Sequence, residues 1–179
     1  VLNRKVIAQN IINLSDARYF AAWGVDYLSF NTIPDSEYAL DLDKIKEIKD
    51  WVEGPLCLIE TNALDFNEVA DGHILSNIYN SLPLNKEAFY RIDIEEIKKG
   101  LPSGKYILKL ESLKTLNNLN AIDADKTQGI ELFLDITSIG LENFDKLGNY
   151  DIVIQGGEEE KVGVKSYDEL DELYELLMD

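Results

Sequence analysis

One cysteine, one histidine and one methionine stand among 179 residues, and the first two scarcities each remove a class of function. A lone Cys57 cannot close an intramolecular disulfide, which fits a reducing cytoplasm. One His and one Cys cannot supply the usual zinc ligand sets, and no motif for an organic cofactor is present. Basic residues are also few: 17 Lys and Arg face 34 Asp and Glu, a formal net charge of −17. That balance argues against nucleic acid and against anionic membrane, because neutralising phosphates requires a basic surface. No apolar run approaches the length of a membrane span, and the start, from Val1 to Lys5, lacks a signal-peptide core. The composition therefore predicts one soluble, cytoplasmic domain over residues 1–179, with the acidity, including Glu158–Glu160 and the last helix, spread over a solvated surface. It leaves the oligomeric state open.

What is there is a rhythm. Val6-Ile7-Ala8 is an apolar run ending on the amides Gln9 and Asn10. Ser15 offers a helix N-cap, Asp16 suits a first turn, and Phe20, Ala21 and Trp23 supply an apolar face. Gly24 closes that helix, and Tyr27–Phe30 reads as a second strand. Strand, helix, strand is the grammar of parallel pairing. The alternation continues. A helix over Leu40–Val52 carries Leu42, Ile45, Ile48 and Trp51, and a third strand runs from Leu56 to Glu60. A short helix is expected around Phe66–Ala70, then a strand from His73 to Ser76 and a loop containing Pro83 in place of a crossover helix. Strands follow at Phe89–Ile92, Lys105–Leu110, Ile130–Ile136 and Asp151–Ile154, with helices at Ile94–Lys99, Leu113–Leu119 and Leu141–Leu147 between them. Ser166 and Glu169 form a capping-box pattern before a final amphipathic helix.

Eight strands in this order predict a compact (β/α)8 TIM barrel with shortened or missing helices, the fourth crossover being a loop. Such barrels typically have ~250 residues and ~200 at the low end, so an open flavodoxin-like sheet is the runner-up.

The opening unit resembles one barrel family in particular. Asn13-Leu14-Ser15-Asp16-Ala17 and Gly24-Val25-Asp26, together with the closing stretch from Gln155 to the last helix, are similar to phosphoribosylanthranilate isomerase of the tryptophan pathway. The likeness covers about the first quarter and the last sixth of the chain. It implies a TIM barrel and an Amadori rearrangement of an aminoaldose to an aminoketose, which needs a general acid and a general base. It also implies that the family's catalytic cysteine falls on Gln9, a carboxamide with no useful pKa. The family's acidic aspartate would close the sixth strand, where this chain offers Lys109 and Glu111. The resemblance further places Tyr38 at a substrate-holding arginine and Asp135-Ile136-Thr137-Ser138 at a glycine-rich phosphate loop. Gln155-Gly156-Gly157 remains as half of a phosphate site.

Alternation also selects the residues that face the barrel axis. With Leu108 and Leu110 turned toward the helices, Ile107, Lys109 and Glu111 point inward, as do Ile7 and Gln9, Glu60, Arg91, Phe133 and Asp135, and Val153 and Gln155. The upper end, where barrel enzymes place their chemistry, would hold Gln9, Glu60, Arg91, Lys109, Glu111 and Asp135. One reading makes this an active site, with Lys109 as base or Schiff-base nucleophile, Glu60 or Asp135 as acid, and Glu111 as a further catalytic candidate. The other makes it an internal salt-bridge network. Gln9, Asn10, Asn31, Arg91, Gln155, Gly156 and Gly157 are the candidate binding residues, for a small phosphorylated ligand. Glu60, Glu111 and Asp135 lack a spacing motif, so no metal is assigned. Cys57 reads as an apolar filler, His73 as a stability residue, and Trp23 and Trp51 as core. The expectation is an isomerase-like barrel that lacks ordinary Amadori activity and serves as a ligand-binding or interaction module. The alternative is an active sugar-phosphate enzyme using Lys109, Glu60 and Asp135.

Overall fold

The computed structural model describes every residue except 63–67, 77–86, 140, 157–158, 162–163, 166 and 179. Eight parallel strands close into a barrel: β1 (Val6–Gln9), β2 (Tyr27–Asn31), β3 (Leu56–Glu60), β4 (Gly72–Leu75), β5 (Glu87–Ile92), β6 (Gly104–Lys109), β7 (Ile130–Asp135) and β8 (Asp151–Gln155). Closure is direct, since Ile7 pairs with Tyr27 on one side and with Val153 on the other. The helices are α1 (Leu14–Trp23), α2 (Leu42–Asp50), α3 (Ile94–Lys99), α4 (Leu113–Asn120), α5 (Ala124–Thr127) and α6 (Asp168–Leu177). Among the described residues between β7 and β8, the helical element is a 3₁₀ helix, Leu141–Leu147. The small size is thus met by shortening helices while all eight strands are kept. An open sheet is ruled out.

Two separate apolar layers hold the barrel together. Inside it, Ile7, Tyr27, Leu58, Ile74, Phe89, Ile107, Phe133 and Val153, one from each strand, form a buried plug. The rings of Phe89 meet those of Tyr27 and Phe133 edge-on, at 5.1 and 5.4 Å between centroids, a geometry worth roughly 0.5–1.5 kcal/mol per pair beyond area burial. The alternate strand residues, such as Val6, Leu28, Phe30, Cys57, Leu108 and Ile154, turn outward against Phe20, Ile45, Ile48, Ile97, Leu116 and Leu173 of the helices. Both strand faces are therefore apolar, which is why each strand reads as a short unbroken hydrophobic run. His73 is also buried on β4, at a position opposite in face to Ile74.

Below the plug, at the strand N-termini, Lys5 pairs with Glu131 and Lys105 with Glu87, each at 2.8 Å. Lys105 also reaches the Tyr27 hydroxyl at 3.3 Å. Three aspartates beside strand starts cap neighbouring strands. Asp26 accepts from the Val6 N–H, Asp71 from Cys57 and Asp151 from Lys5. The last helix seals the first through aromatic contacts. Tyr19 and Tyr167 stack at 4.0 Å, Tyr167 donates to Asp16 at 2.6 Å, and Tyr19 donates to Asp171.

Several local expectations are corrected. The α1 cap is Asn13, whose side chain accepts from the Asp16 N–H, and Ser15 lies one turn-position inside the helix. Trp51 is not core. Helix α2 stops at Asp50, so Trp51 becomes its C-cap and is 65% exposed, with the Arg18 guanidinium 5.7 Å from its ring. Glu68 and Val69 form a turn where the short helix around Phe66–Ala70 was expected, and its first two positions lie outside the described residues, as do nearly all of the fourth crossover and Ser166. The N-cap of α6 is Tyr167, with no side-chain cap bond. A short antiparallel pair, β9 (Glu159–Lys161) with β10 (Val164–Lys165), which the strand rhythm did not predict, follows β8.

Candidate functional site at the barrel mouth

Gln9, Asn31, Glu60, Lys109, Asp135 and Gln155 are the last residues of β1, β2, β3, β6, β7 and β8. Arg91 is the penultimate residue of β5. Strand alternation places a polar layer directly above the apolar plug, and there the side chains meet.

Arg91 is its hub. Its Nε and Nη2 donate to the two oxygens of Glu60 at 2.6 and 2.8 Å, the bidentate geometry that suits guanidinium and carboxylate. Nη2 also donates to the Gln9 carbonyl oxygen at 2.8 Å, and Nη1 reaches Asp135 at 3.4 Å. Gln9 turns its amide nitrogen to the same Asp135 oxygen at 3.2 Å. The other Asp135 oxygen accepts from the backbone N–H and the hydroxyl of Thr137, at 3.2 and 2.7 Å. Side-chain exposure is 3% for Asp135, 9% for Glu60 and 27% for Arg91, so this ionic cluster is largely removed from water. Burial works against the Arg91 charge, but Glu60 and then Asp135 outweigh it and raise its pKa above the usual arginine value.

A second, neutral group lies across the mouth. Asn10 donates to the Gln155 carbonyl oxygen at 2.9 Å, and Gln155 donates onward to the Tyr38 hydroxyl at 3.0 Å. Asn10 holds a left-handed backbone with φ 57°, a conformation that asparagine tolerates better than most residues. Asn31 spends its side-chain oxygen on the Ile33 N–H and so stabilises its own loop.

The structure thus brings Gln9, Glu60, Arg91 and Asp135 into one cluster and Asn10 and Gln155 into another. It does not bring in Lys109 or Glu111. Both are solvent exposed, and their side chains make no hydrogen bond or ion pair with the described residues. The expected two cations against three acids reduces to one cation against two. Gly156 follows β8 and is partly buried, while Gly157 lies outside the described residues. Thr137 and Tyr38 are the network members that sequence reasoning did not assign as site residues. Their signal was the family resemblance, which set Tyr38 at a substrate-holding position and Thr137 in the loop after β7, together with their places just beyond strand ends. Among the described residues no group of three or more His, Cys, Asp or Glu side chains is placed to hold a metal ion. No helix among the described residues is long and apolar enough to cross a membrane.

Solved structures give this architecture a precedent. The phosphoribosyl anthranilate isomerase of Thermus thermophilus superposes with a TM-score of 0.70 at 17% identity, covering 96% of each chain. That of Thermococcus kodakaraensis reaches 0.72 at 9% identity, over 98% of this chain and 99% of its own. The chain has the phosphoribosylanthranilate isomerase fold. Another such isomerase, solved with reduced 1-(o-carboxyphenylamino)-1-deoxyribulose 5-phosphate, matches at 0.71 with 15% identity over 96% of this chain and 97% of its own. No protein-family model and no curated protein sequence matches the chain. At these identities the likeness to the isomerases is one of fold, and chemistry has to be argued from the mouth itself.

Proposed function

We propose that this chain is an isomerase-fold barrel without Amadori isomerase activity, whose mouth binds a small polar ligand. The observation that carries the reading is Gln9. It stands where the resemblance implies the general base, and its amide is held from both sides by Arg91 and Asp135. A carboxamide has no titrating group near neutral pH and cannot serve as a general base. The two carboxylates nearest to it are occupied by Arg91, Gln9 and Thr137, so neither is poised as a free acid or base. Asn10, Gln155 and Tyr38 add hydrogen-bonding groups suited to recognition, and a phosphate, if the ligand carries one, is assigned to the side of Gly156, which directly follows β8. The reading predicts no nucleic-acid or membrane partner, given the charge of −17.

A second reading has one observation in its favour. Lys109 is exposed at the end of β6 in direct register with Asp135, so a cation able to act as base or nucleophile does stand at the rim. Turnover of phosphoribosylanthranilate, followed by the loss of its fluorescence, separates the two. The binding reading expects no turnover above the uncatalysed rate. Turnover that disappears in Lys109→Ala, with Glu60→Gln and Asp135→Asn as companion variants, would establish the enzyme instead.

A further inference from the structure

The unspent hydrogen-bonding capacity of the mouth indicates what kind of ligand it takes. A guanidinium has five N–H groups. Four of those on Arg91 are used, on Glu60 twice, Gln9 and Asp135, and the Asp135 bond is long at 3.4 Å. One Nη1 N–H is left without a partner among the described residues, on a side chain that retains some solvent exposure. Each Glu60 oxygen accepts one bond from the described residues, which leaves it a further lone pair. Across the mouth, the Asn10 side-chain oxygen and the proton of the Tyr38 hydroxyl, which accepts from Gln155, have no partner among the described residues.

Free donors thus sit close to free acceptors on planar, pre-oriented side chains. A hydroxyl group, which donates and accepts at once, satisfies such a pair, and neighbouring hydroxyls satisfy several pairs together. Charge narrows the choice further. One guanidinium faces two largely buried carboxylates, so the cluster is already net negative, and an incoming carboxylate would meet like charge in a poorly solvated place.

We infer that the barrel mouth recognises the hydroxyl groups of an uncharged polyhydroxylated ligand, of the sugar or polyol class, and discriminates against a carboxylate at the Arg91–Glu60 cluster. This rests on the binding reading above and names the ligand chemistry that meets the network. Any phosphate would have to lie on the Gly156 side.

The test uses the full chain and three probes that share a pyranose ring and differ in charge: glucosamine, glucose and glucuronate. Binding is read from the Arg91 Nε–H and the Gln9 and Asn10 side-chain amide signals in ¹⁵N NMR. Glucose and glucosamine are expected to shift these signals, and glucuronate to need at least tenfold higher concentration. Asp135→Asn removes one negative charge and should improve glucuronate relative to glucose severalfold. If that variant does not fold, the series on the unaltered chain decides alone. Glucuronate binding as well as glucose, or none of the three probes moving these signals at tens of millimolar, would overturn the inference. Failure of the sugars without isomerase turnover sinks only this inference, whereas turnover sinks the binding reading beneath it.

Discussion

Replacing Arg91 by methionine keeps much of the aliphatic volume and removes the one cation from the mouth cluster. Glu60 and Asp135, 9% and 3% exposed, then share a small space without their guanidinium, and Gln9 loses the donor that fixes its oxygen. Breaking a buried ion pair from one side costs about 3–5 kcal/mol, because the partner is left charged and unsatisfied. The 27% exposure of Arg91 lets water repair part of the damage, which favours the lower end, about 3 kcal/mol. For a chain of this size that is a fall in Tm of roughly 6–12 °C. Urea unfolding followed by circular dichroism measures it, and a cycle with Glu60→Met should show a coupling above about 1 kcal/mol. Replacing Arg91, Glu60 and Asp135 together by apolar residues should recover most of the loss, since a whole buried network is often replaceable by packing. A loss below about 1 kcal/mol for Arg91→Met, the size of a surface pair, would refute the view that the cluster is desolvated and mutually dependent.

Alkaline conditions probe the closure of the barrel's outer layer. Burial first, and then Asp171 for Tyr19 and Asp16 for Tyr167, raise both phenol pKa values above the ordinary one. The stability they contribute is therefore fully present below the unfolded value near ~10 and lost as pH rises above it. Thermal melts should fall steeply in that range, and less so in Tyr19→Phe/Tyr167→Phe. Gly72→Ala would put a methyl carbon 2.7 Å from the Glu87 carbonyl oxygen and 2.8 Å from Leu58. Such overpacking should cost about 1–3 kcal/mol in urea unfolding. Asn13→Ala removes the α1 cap and should cost roughly 0.5–2 kcal/mol by the same assay, whereas Ser15→Ala should be close to neutral.

Much of the barrel was legible because parallel strands buried on both faces must be short apolar runs. Strand parity then carried from Leu108 and Leu110 to the inward positions of Ile7, Phe133 and Val153, and to the meeting of Arg91, Glu60, Gln9 and Asp135. Parity fails at strand tips. Lys109 and Glu111 follow the same alternation but stand at the end of β6 and beyond it, where a side chain can leave for solvent. Helix ends were similarly ambiguous. Asn13 and Ser15 both offer a capping oxygen, and the apolar stripe of α2 runs on to Trp51 although the helix itself stops at Asp50. The aspartate caps at Asp26, Asp71 and Asp151 leave only a faint signal, an acid at or just before a strand start, and their partners are set by the barrel's closure.

Arg91, Glu60, Gln9 and Asp135 are locked to one another at the barrel mouth. Hydrogen exchange of the Arg91 Nε–H, observed by ¹⁵N NMR at neutral pH, tests this locking most directly. The account predicts a single sharp signal, protected from exchange and released by Glu60→Ala. A signal exchanging at the rate of a solvent-exposed arginine would contradict it.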